Sequence, residues 1–411
     1  MTSTRVLTCA ALLLLGKLAT ASALAAAAPA LAAAAAATAA PRAGLCDKAC
    51  ERMVLDAYAL QGKGRYQEAL AAFKAAERAY PTASLPVASG AALILALSDN
   101  AAGEQKGSMR GAARAMAQQA LALQADDPIA QEVVRLIDDG PTPLRAPAPA
   151  AARPFTEAEA LFAQGRYGDA VARYEAAMAA DPAFSSAWVG AGNSHFFQRD
   201  WARAEPLFRR ATEIEPRNAQ AWRYLADTLA AQGKRDAAEQ ALYAAIGADP
   251  AQRPNWTKLA AASKARGVAL ESLGLRRGVR VEQRADGKFT LHLDMGAAQE
   301  TTPDRALRLT LGTREMQLRD EAKAGARTPF EIELDAWRAA LKVIDEAQAG
   351  GAEGLSDPAL KRMQAFARDG QLEPALLLLQ FRQAYRPELE RWLAANQDGV
   401  RRFVERYGIR P

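Results

Sequence analysis

Ala170-Val-Ala-Arg-Tyr174-Glu-Ala-Ala177, Ala204-Glu-Pro-Leu-Phe208-Arg-Arg-Ala211 and Ala238-Glu-Gln-Ala-Leu242-Tyr-Ala-Ala245 are one pattern written three times. A small residue is followed four places on by a large apolar one, and three places later by alanine. A proline then follows each stretch, at Pro182, Pro216 and Pro250, with a spacing of 34 residues. Positions i, i+4 and i+7 share one face of a helix, so each stretch carries an apolar stripe. The proline falls where one helix stops or the next one begins.

A second stripe precedes the first in each unit. It reads Trp188, Ala191-Gly192 and His195 in the middle unit, then Trp222, Leu225-Ala226 and Leu229 in the next. Between the two stripes lie the turns Gly165-Arg-Tyr167, Arg199-Asp-Trp201 and Gly233-Lys-Arg235. Glycine there supplies a left-handed residue at a helix end. The small residues Ala170, Gly192, Ala204 and Ala238 suit close crossing of helix backbones.

These paired stripes, turns and prolines resemble the tetratricopeptide repeat. The resemblance implies a mainly α fold: a solenoid of helical hairpins stacked because no single pair can bury its apolar face, with at least about three needed for stability. It covers a third to a half of the chain. In such repeats the first helices line a concave groove. Carried over by register, the groove positions are Phe155, Glu159, Phe162, Val189, Asn193, Phe196, Arg223 and Asp227. Aromatic and polar groups in this mixture suit an extended or helical peptide, and Asn193 is placed to bond a peptide backbone. The lysine-plus-asparagine clamp of some family members is not reproduced, because Val189 stands where lysine would. A competing use of Phe155, Phe162 and Phe196 is packing against the proline-rich linker or the C-terminal region.

Outward from the array, residues 1–23 read as an export signal: Arg5, the apolar run Val6–Gly16, and the small-x-small sites Ala19-Thr-Ala21 and Ala21-Ser-Ala23. The run is too short to span a bilayer, which takes about 20 apolar residues. Lys17 interrupts it, and an uncleaved anchor is the alternative. Residues 24–45 form an alanine-rich spacer. Residues 46–140 repeat the pattern once, through Gln61-Gly-Lys-Gly64-Arg-Tyr66, Ala69, Phe73, Ala76 and Pro81. A looser unit follows, with a glycine-rich insertion at Gly103, Gly107 and Gly111 ahead of Ala113–Leu123, and then a helix over 129–138. Residues 141–154 carry dense proline and read as a semi-extended linker. Residues 155–275 form the central array, which ends in a capping helix around Trp256.

The period then changes. Val279-Arg-Val281-Glu and Phe289-Thr-Leu291-His-Leu293 alternate across Asp286-Gly287, a hairpin signal. Leu307-Arg-Leu309-Thr-Leu311 and Phe330-Glu-Ile332-Glu-Leu334 alternate too. Residues 276–349 therefore read as a small region of about four strands ending in a helix over Trp337–Gln348. Residues 350–411 read as helical. Gly370, Leu372, Ala375 and Leu379 form one degenerate hairpin, and Trp392, Val400, Phe403 and Tyr407 line the last helix.

Composition sets further bounds. In 411 residues the net charge is +5, and Arg5 with Lys17 carry part of it ahead of Leu24. A mature chain near +3 is too weakly basic to point to nucleic acid. Arg276, Arg277, Arg280 and Arg284 form one basic cluster and Arg401, Arg402, Arg406 and Arg410 another; both read as solvated faces. Cys9 lies in the signal, which leaves Cys46 and Cys50. Their i, i+4 spacing sets the Cα atoms about 6 Å apart, within reach of a disulfide. Only His195 and His292 are present, so no histidine pair builds a zinc site by helix spacing. Gly192-Asn-Ser194-His-Phe196 departs from a nucleophile elbow at its last position. No phosphate or dinucleotide loop occurs, and no cofactor is expected. The reading is an exported, periplasmic or secreted adaptor that binds a protein or peptide, with no nucleic acid and no membrane span after cleavage. An enzyme with its site in residues 278–411 and an envelope-assembly factor are the alternatives.

Overall fold

A computed structural model describes residues 46–411, apart from 63, 99–100, 102, 125–126, 141, 285, 294–299, 301 and 323–326. The export signal at 1–23 and the spacer at 24–45 lie outside the described residues. The chain forms two compact units. One runs up to Ala238 and includes Gln252–Pro254; the other comprises Glu239–Ala251 and Asn255–Pro411. The division between them falls inside the third central repeat.

The first unit opens with α1 (Lys48–Gly62), α2 (Tyr66–Ala79), α3 (Ser84–Ser98), α4 (Gly103–Leu123) and α5 (Pro128–Asp138). Asp47 caps α1 by accepting from Ala49 and Cys50 N–H, both at 2.9 Å. Cys46 and Cys50 are joined by a disulfide with Cα atoms 5.2 Å apart. Val54, Tyr58, Phe73, Val87, Ala91 and Ile129 are buried together. The Tyr58 hydroxyl donates to Ser89 Oγ at 2.9 Å, and burial pushes its pKa well above the usual phenol value. The glycine-rich insertion is not a separate loop, because α4 runs unbroken from Gly103. Each helical glycine costs about 1 kcal/mol against alanine. Here Gly107 and Gly111 face solvent, while Ala113, Ala117 and Ala120 form a buried i, i+4, i+7 stripe that holds the helix together.

Residues 142–148 form neither helix nor strand, and α6 (Pro149–Ala163) starts five residues before the proline-rich stretch ends at Pro154. The linker is therefore shorter than its composition predicts. Pro149 sits in the first turn, where its missing N–H costs nothing, and Ala151 is buried against Ala177, Phe184 and Ala187. Arg145 and the Ala148 amide hold the Asp181 carboxyl below the usual carboxylate range.

Next come α7 (Tyr167–Ala180), α8 (Ser185–Phe197), α9 (Trp201–Ile214) and α10 (Ala219–Ala231). Ala170, Tyr174, Ala177, Ala204, Phe208 and Ala211 are all fully buried, as the stripes predict. The indole N–H of Trp188 donates to Pro182 O at 3.1 Å, and that of Trp222 to Pro216 O at 2.9 Å, one repeat apart. On α9, Glu205 accepts from Lys234 Nζ at 2.7 Å, Arg209 Nη2 at 2.8 Å and Gln232 Nε2 at 3.0 Å. The Lys234 bond leads in lowering its pKa from 4.5 to about 2. A depressed carboxylate stabilises the fold above its unfolded pKa and loses that contribution as pH falls through the folded value. Thermal unfolding should therefore show a Tm that declines between about pH 4.5 and pH 2. Glu205→Gln should flatten that slope; an identical slope in both proteins would contradict the assignment.

The second unit contains most of α11 (Arg235–Ala248) and of α12 (Arg253–Ala265), then β1 (Glu271–Ser272), β2 (Val279–Gln283), β3 (Phe289–Leu293), α13 (Thr302–Glu321), α14 (Pro329–Ala349), α15 (Pro358–Arg368) and α16 (Leu372–Leu379). A short 3₁₀ turn, Gln383–Tyr385, leads to α17 (Arg386–Ala395), α18 (Gly399–Tyr407) and β4 (Ile409–Arg410). Trp256 Nε1 donates to Pro250 O at 2.8 Å, which continues the repeat's register into this unit. The end of the array packs here because Gly247 lies against Leu393 and Val400.

Strands β2 and β3 pair antiparallel, with Val279 opposite Leu293 and Gln283 opposite Phe289. Among the described residues the only other strand pair is the parallel match of Glu271 with Ile409 and Ser272 with Arg410. The two further strands expected at 307–311 and 330–334 are helix. Three apolar residues at i, i+2 and i+4 satisfy a strand, but the outer two also satisfy one helix face. In α13, Leu307 and Leu311 are buried while Leu309 is exposed, which is the helical choice. Thr328 and Glu331 form a reciprocal capping box around Pro329, which stands in the first turn, and start α14 early. The last apolar set is likewise split. Trp392 belongs to α17, and Val400, Phe403 and Tyr407 to α18, because Asp398 takes a left-handed φ of 58° between them.

Candidate binding face

The candidate groove residues come from three helices of the first unit: Phe155, Glu159 and Phe162 from α6, Val189, Asn193 and Phe196 from α8, and Arg223 and Asp227 from α10. The 34-residue period aligns Glu159, Asn193 and Asp227 in one row, and Phe155, Val189 and Arg223 in another.

The structure assigns them different work. The Phe155 ring packs between Phe184 at 4.9 Å and Tyr174 at 5.9 Å, centroid to centroid, inside the repeat core. The same cluster includes Ala151 from the proline-rich stretch, together with Ala177 and Ala187 of the array. Val189 is buried. Arg223 is also buried; its Nη1 donates to Gln252 Oε1 at 3.1 Å, and its guanidinium lies 5.4 Å from the Tyr224 ring centre. That row is therefore mostly structural.

The polar row keeps more capacity. Glu159 accepts from the Tyr174 hydroxyl at 2.5 Å. Burial, and then this neighbouring carboxylate, drive the Tyr174 pKa far above the ordinary phenol value, so Tyr174 acts only as a donor here. Asp227 is half-buried. Asn193 is 2% exposed, and its Nδ2 has no hydrogen-bond partner. A buried amide left unpaired costs about 1–3 kcal/mol, so the site is primed for an acceptor.

Phe162 and Phe196 belong to a cluster the register did not show whole. Phe162 meets Tyr167 at 5.2 Å and Phe197 at 5.5 Å; Tyr167 stacks on Phe197 at 5.3 Å with an interplanar angle of 17°. Phe196 packs on Trp201 at 4.7 Å. Phe197 is 46% exposed. The sequence signals were present: the Phe196-Phe197 doublet, and aromatics closing the turns at Tyr167 and Trp201. Only the fold shows that successive turns bring them together. His195, at the end of α8, lies 3.7 Å from Asp200 through Nδ1.

The second unit, where an enzymatic site was the alternative, holds a buried charge network. Arg308 bonds Glu300 and Asp357, each at 2.6 Å, and the Arg276 carbonyl. Arg277 pairs with Glu315 at 2.5 Å and Glu333 at 3.2 Å; Arg319 also meets Glu315, and Trp337 Nε1 donates to Glu333 at 2.8 Å. Each of these four carboxylates is ion-paired with at least one of the three guanidiniums. Among the described residues no three His, Cys, Asp or Glu converge as metal ligands, and no helix is long and apolar enough to cross a membrane.

The first unit is thus an array of helical hairpins with one polar row and an aromatic edge. Residues 155–214 and 189–253 match the tetratricopeptide-repeat family model. No curated protein matches the chain. Solved structures with likeness include the first TPR of Spaghetti (RPAP3) bound to an HSP90 peptide, 19% identical over 30% of this chain and 99% of that one, TM-score 0.28. YrrB, a TPR protein with an unusual peptide-binding site, is 16% identical over 50% of this chain and 89% of its own, TM-score 0.26. Pseudomonas aeruginosa pilF is 14% identical over 54% and 92%, TM-score 0.22. These likenesses concern the repeat fold and carry nothing further.

Proposed function

We propose that this chain is an exported adaptor that holds an extended protein segment against the face made by α6, α8 and α10. The observation that carries the reading is Asn193, whose buried Nδ2 lacks a partner. Flanked in register by Glu159 and Asp227, it offers a donor between two acceptors, the complement of a peptide backbone. Phe162 and the exposed Phe197 supply apolar contact beside it. Support for export comes from the charged, apolar and small-residue order of residues 1–23, and from a disulfide between Cys46 and Cys50, a bond favoured in oxidising compartments.

The test is a pull-down from an envelope fraction, comparing wild type with Phe162→Ala plus Asn193→Ala at equal helicity by circular dichroism. Loss of a specific partner in the double variant is the expected result. Equal recovery by both proteins would overturn the assignment of this face.

A further inference from the structure

Asp181, Glu215 and Asp249 each stand one residue before a proline of the repeat, and all three are buried. A carboxylate removed from water needs donors. The first two take donors from outside the repeats as well as from within them. Arg145 Nη1 donates to Asp181 Oδ2 at 2.7 Å, and the Ala148 N–H donates to the same oxygen at 2.8 Å. The Arg145 N–H donates to Glu215 Oε1 at 2.9 Å. Glu215 is held ready by the array itself: its Oε2 accepts from Ser185 Oγ at 2.5 Å, and Ser185 Oγ accepts from Asn218 Nδ2 at 3.2 Å. Ser185 and Asn218 are buried too. In the second unit Asp249 Oδ1 lies 3.9 Å from Arg386, which also donates to the Ala248 carbonyl. An arginine from outside the repeats meets the pre-proline acid there as well.

An extended proline-rich chain advances about 9 Å in three residues, and that step carries residues 142–148 from Glu215 to Asp181. The amides of Arg145 and Ala148 are three residues apart and meet acids on successive repeat loops. Pro143, Pro147 and Pro149 hold the segment extended, because each restricts the residue before it. The Arg145 side chain is 47% exposed while Asp181 and Glu215 are buried beneath the segment, and Glu215 is also bonded from within the array by Ser185.

We infer that the loop edge formed by Asp181 and Glu215 is a binding surface for an extended, proline-flanked arginine segment, and that residues 142–148 are an internal ligand filling it. Tethered at both ends, the segment has an effective concentration on the order of millimolar, so a free peptide competes poorly with it. A partner presenting the same chemistry binds once the internal segment is displaced. This edge is separate from the polar row of α6, α8 and α10, so either reading can fail without the other.

The experiment uses the full chain and a labelled peptide of residues 140–150. Where residues 142–148 are replaced by glycine and serine at equal length, the peptide should bind at least tenfold more tightly than to wild type. Adding Asp181→Asn and Glu215→Gln to that chain, or Arg145→Ala to the peptide, should weaken binding at least tenfold. Native helicity without peptide binding, or equal binding to wild type and the replaced chain, would overturn the inference. A second readout keeps the native segment: trypsin should cut after Arg145 at least tenfold faster in Asp181→Asn plus Glu215→Gln than in wild type. An unchanged rate would count against an occupied site.

Discussion

Arg308→Ala should destabilise the second unit by about 3–5 kcal/mol, the usual cost of removing one partner from a buried ion pair. Arg308 is 1% exposed and is the shared partner of Glu300, Asp357 and the Arg276 carbonyl. Without it two carboxylates face each other with no cation between them. The cost also reaches the start of α15, because Asp357 is its cap and accepts from Ala359 N–H at 2.7 Å. Neighbouring Asp304 fixes that corner by accepting from the Ser356 and Asp357 N–H groups at 3.0 and 3.1 Å. Urea unfolding of the full chain gives the measurement. Arg308→Met with Asp357→Asn should recover part of the loss, since asparagine still caps a helix and the stranded charge is gone. A loss below about 1 kcal/mol for Arg308→Ala would mean that water reaches the site.

Gly190→Ala should lower stability by about 1–3 kcal/mol, although alanine favours helix over glycine by about 1 kcal/mol. A Cβ at Gly190 would sit 2.2 Å from Tyr174 Cε1 and 2.4 Å from Cζ. The ring cannot turn away, because Tyr174 is fully buried and its hydroxyl is bonded to Glu159. Gly168 supplies the control. It lies in α7 with no heavy atom within 4 Å of an added Cβ, so Gly168→Ala should stabilise by about 0.5–1 kcal/mol. Tyr174→Leu should make the two changes non-additive, as expected of residues in direct contact. Equal effects of alanine at Gly190 and Gly168 would show that helix propensity alone decides this crossing.

The candidate face was legible in part. Register gave the row Glu159, Asn193 and Asp227, and it gave Phe162 and Phe196. Register alone could not show that Arg223 and Val189 are buried while Asp227 is half-exposed, because all share one helical face. Nor could it assemble Tyr167 and Phe197 with Phe162, which requires two hairpin turns to lie side by side.

What the sequence by itself determined was local and periodic. The 34-residue repeat, the stripes at Ala170, Tyr174 and Ala177 and the 279–293 hairpin all follow from patterns that run along the chain itself. The tertiary structure alone decided the rest. Residues 307–311 and 330–334 became helices because alternation over five residues fits both periods, and only burial against neighbours chooses between them. Arg145 reached Asp181 and Glu215 across 36 and 70 residues, and β1 reached β4 from Ser272 to Arg410. Such pairings leave no period in the chain, because a charge or a strand edge finds its partner by position in space.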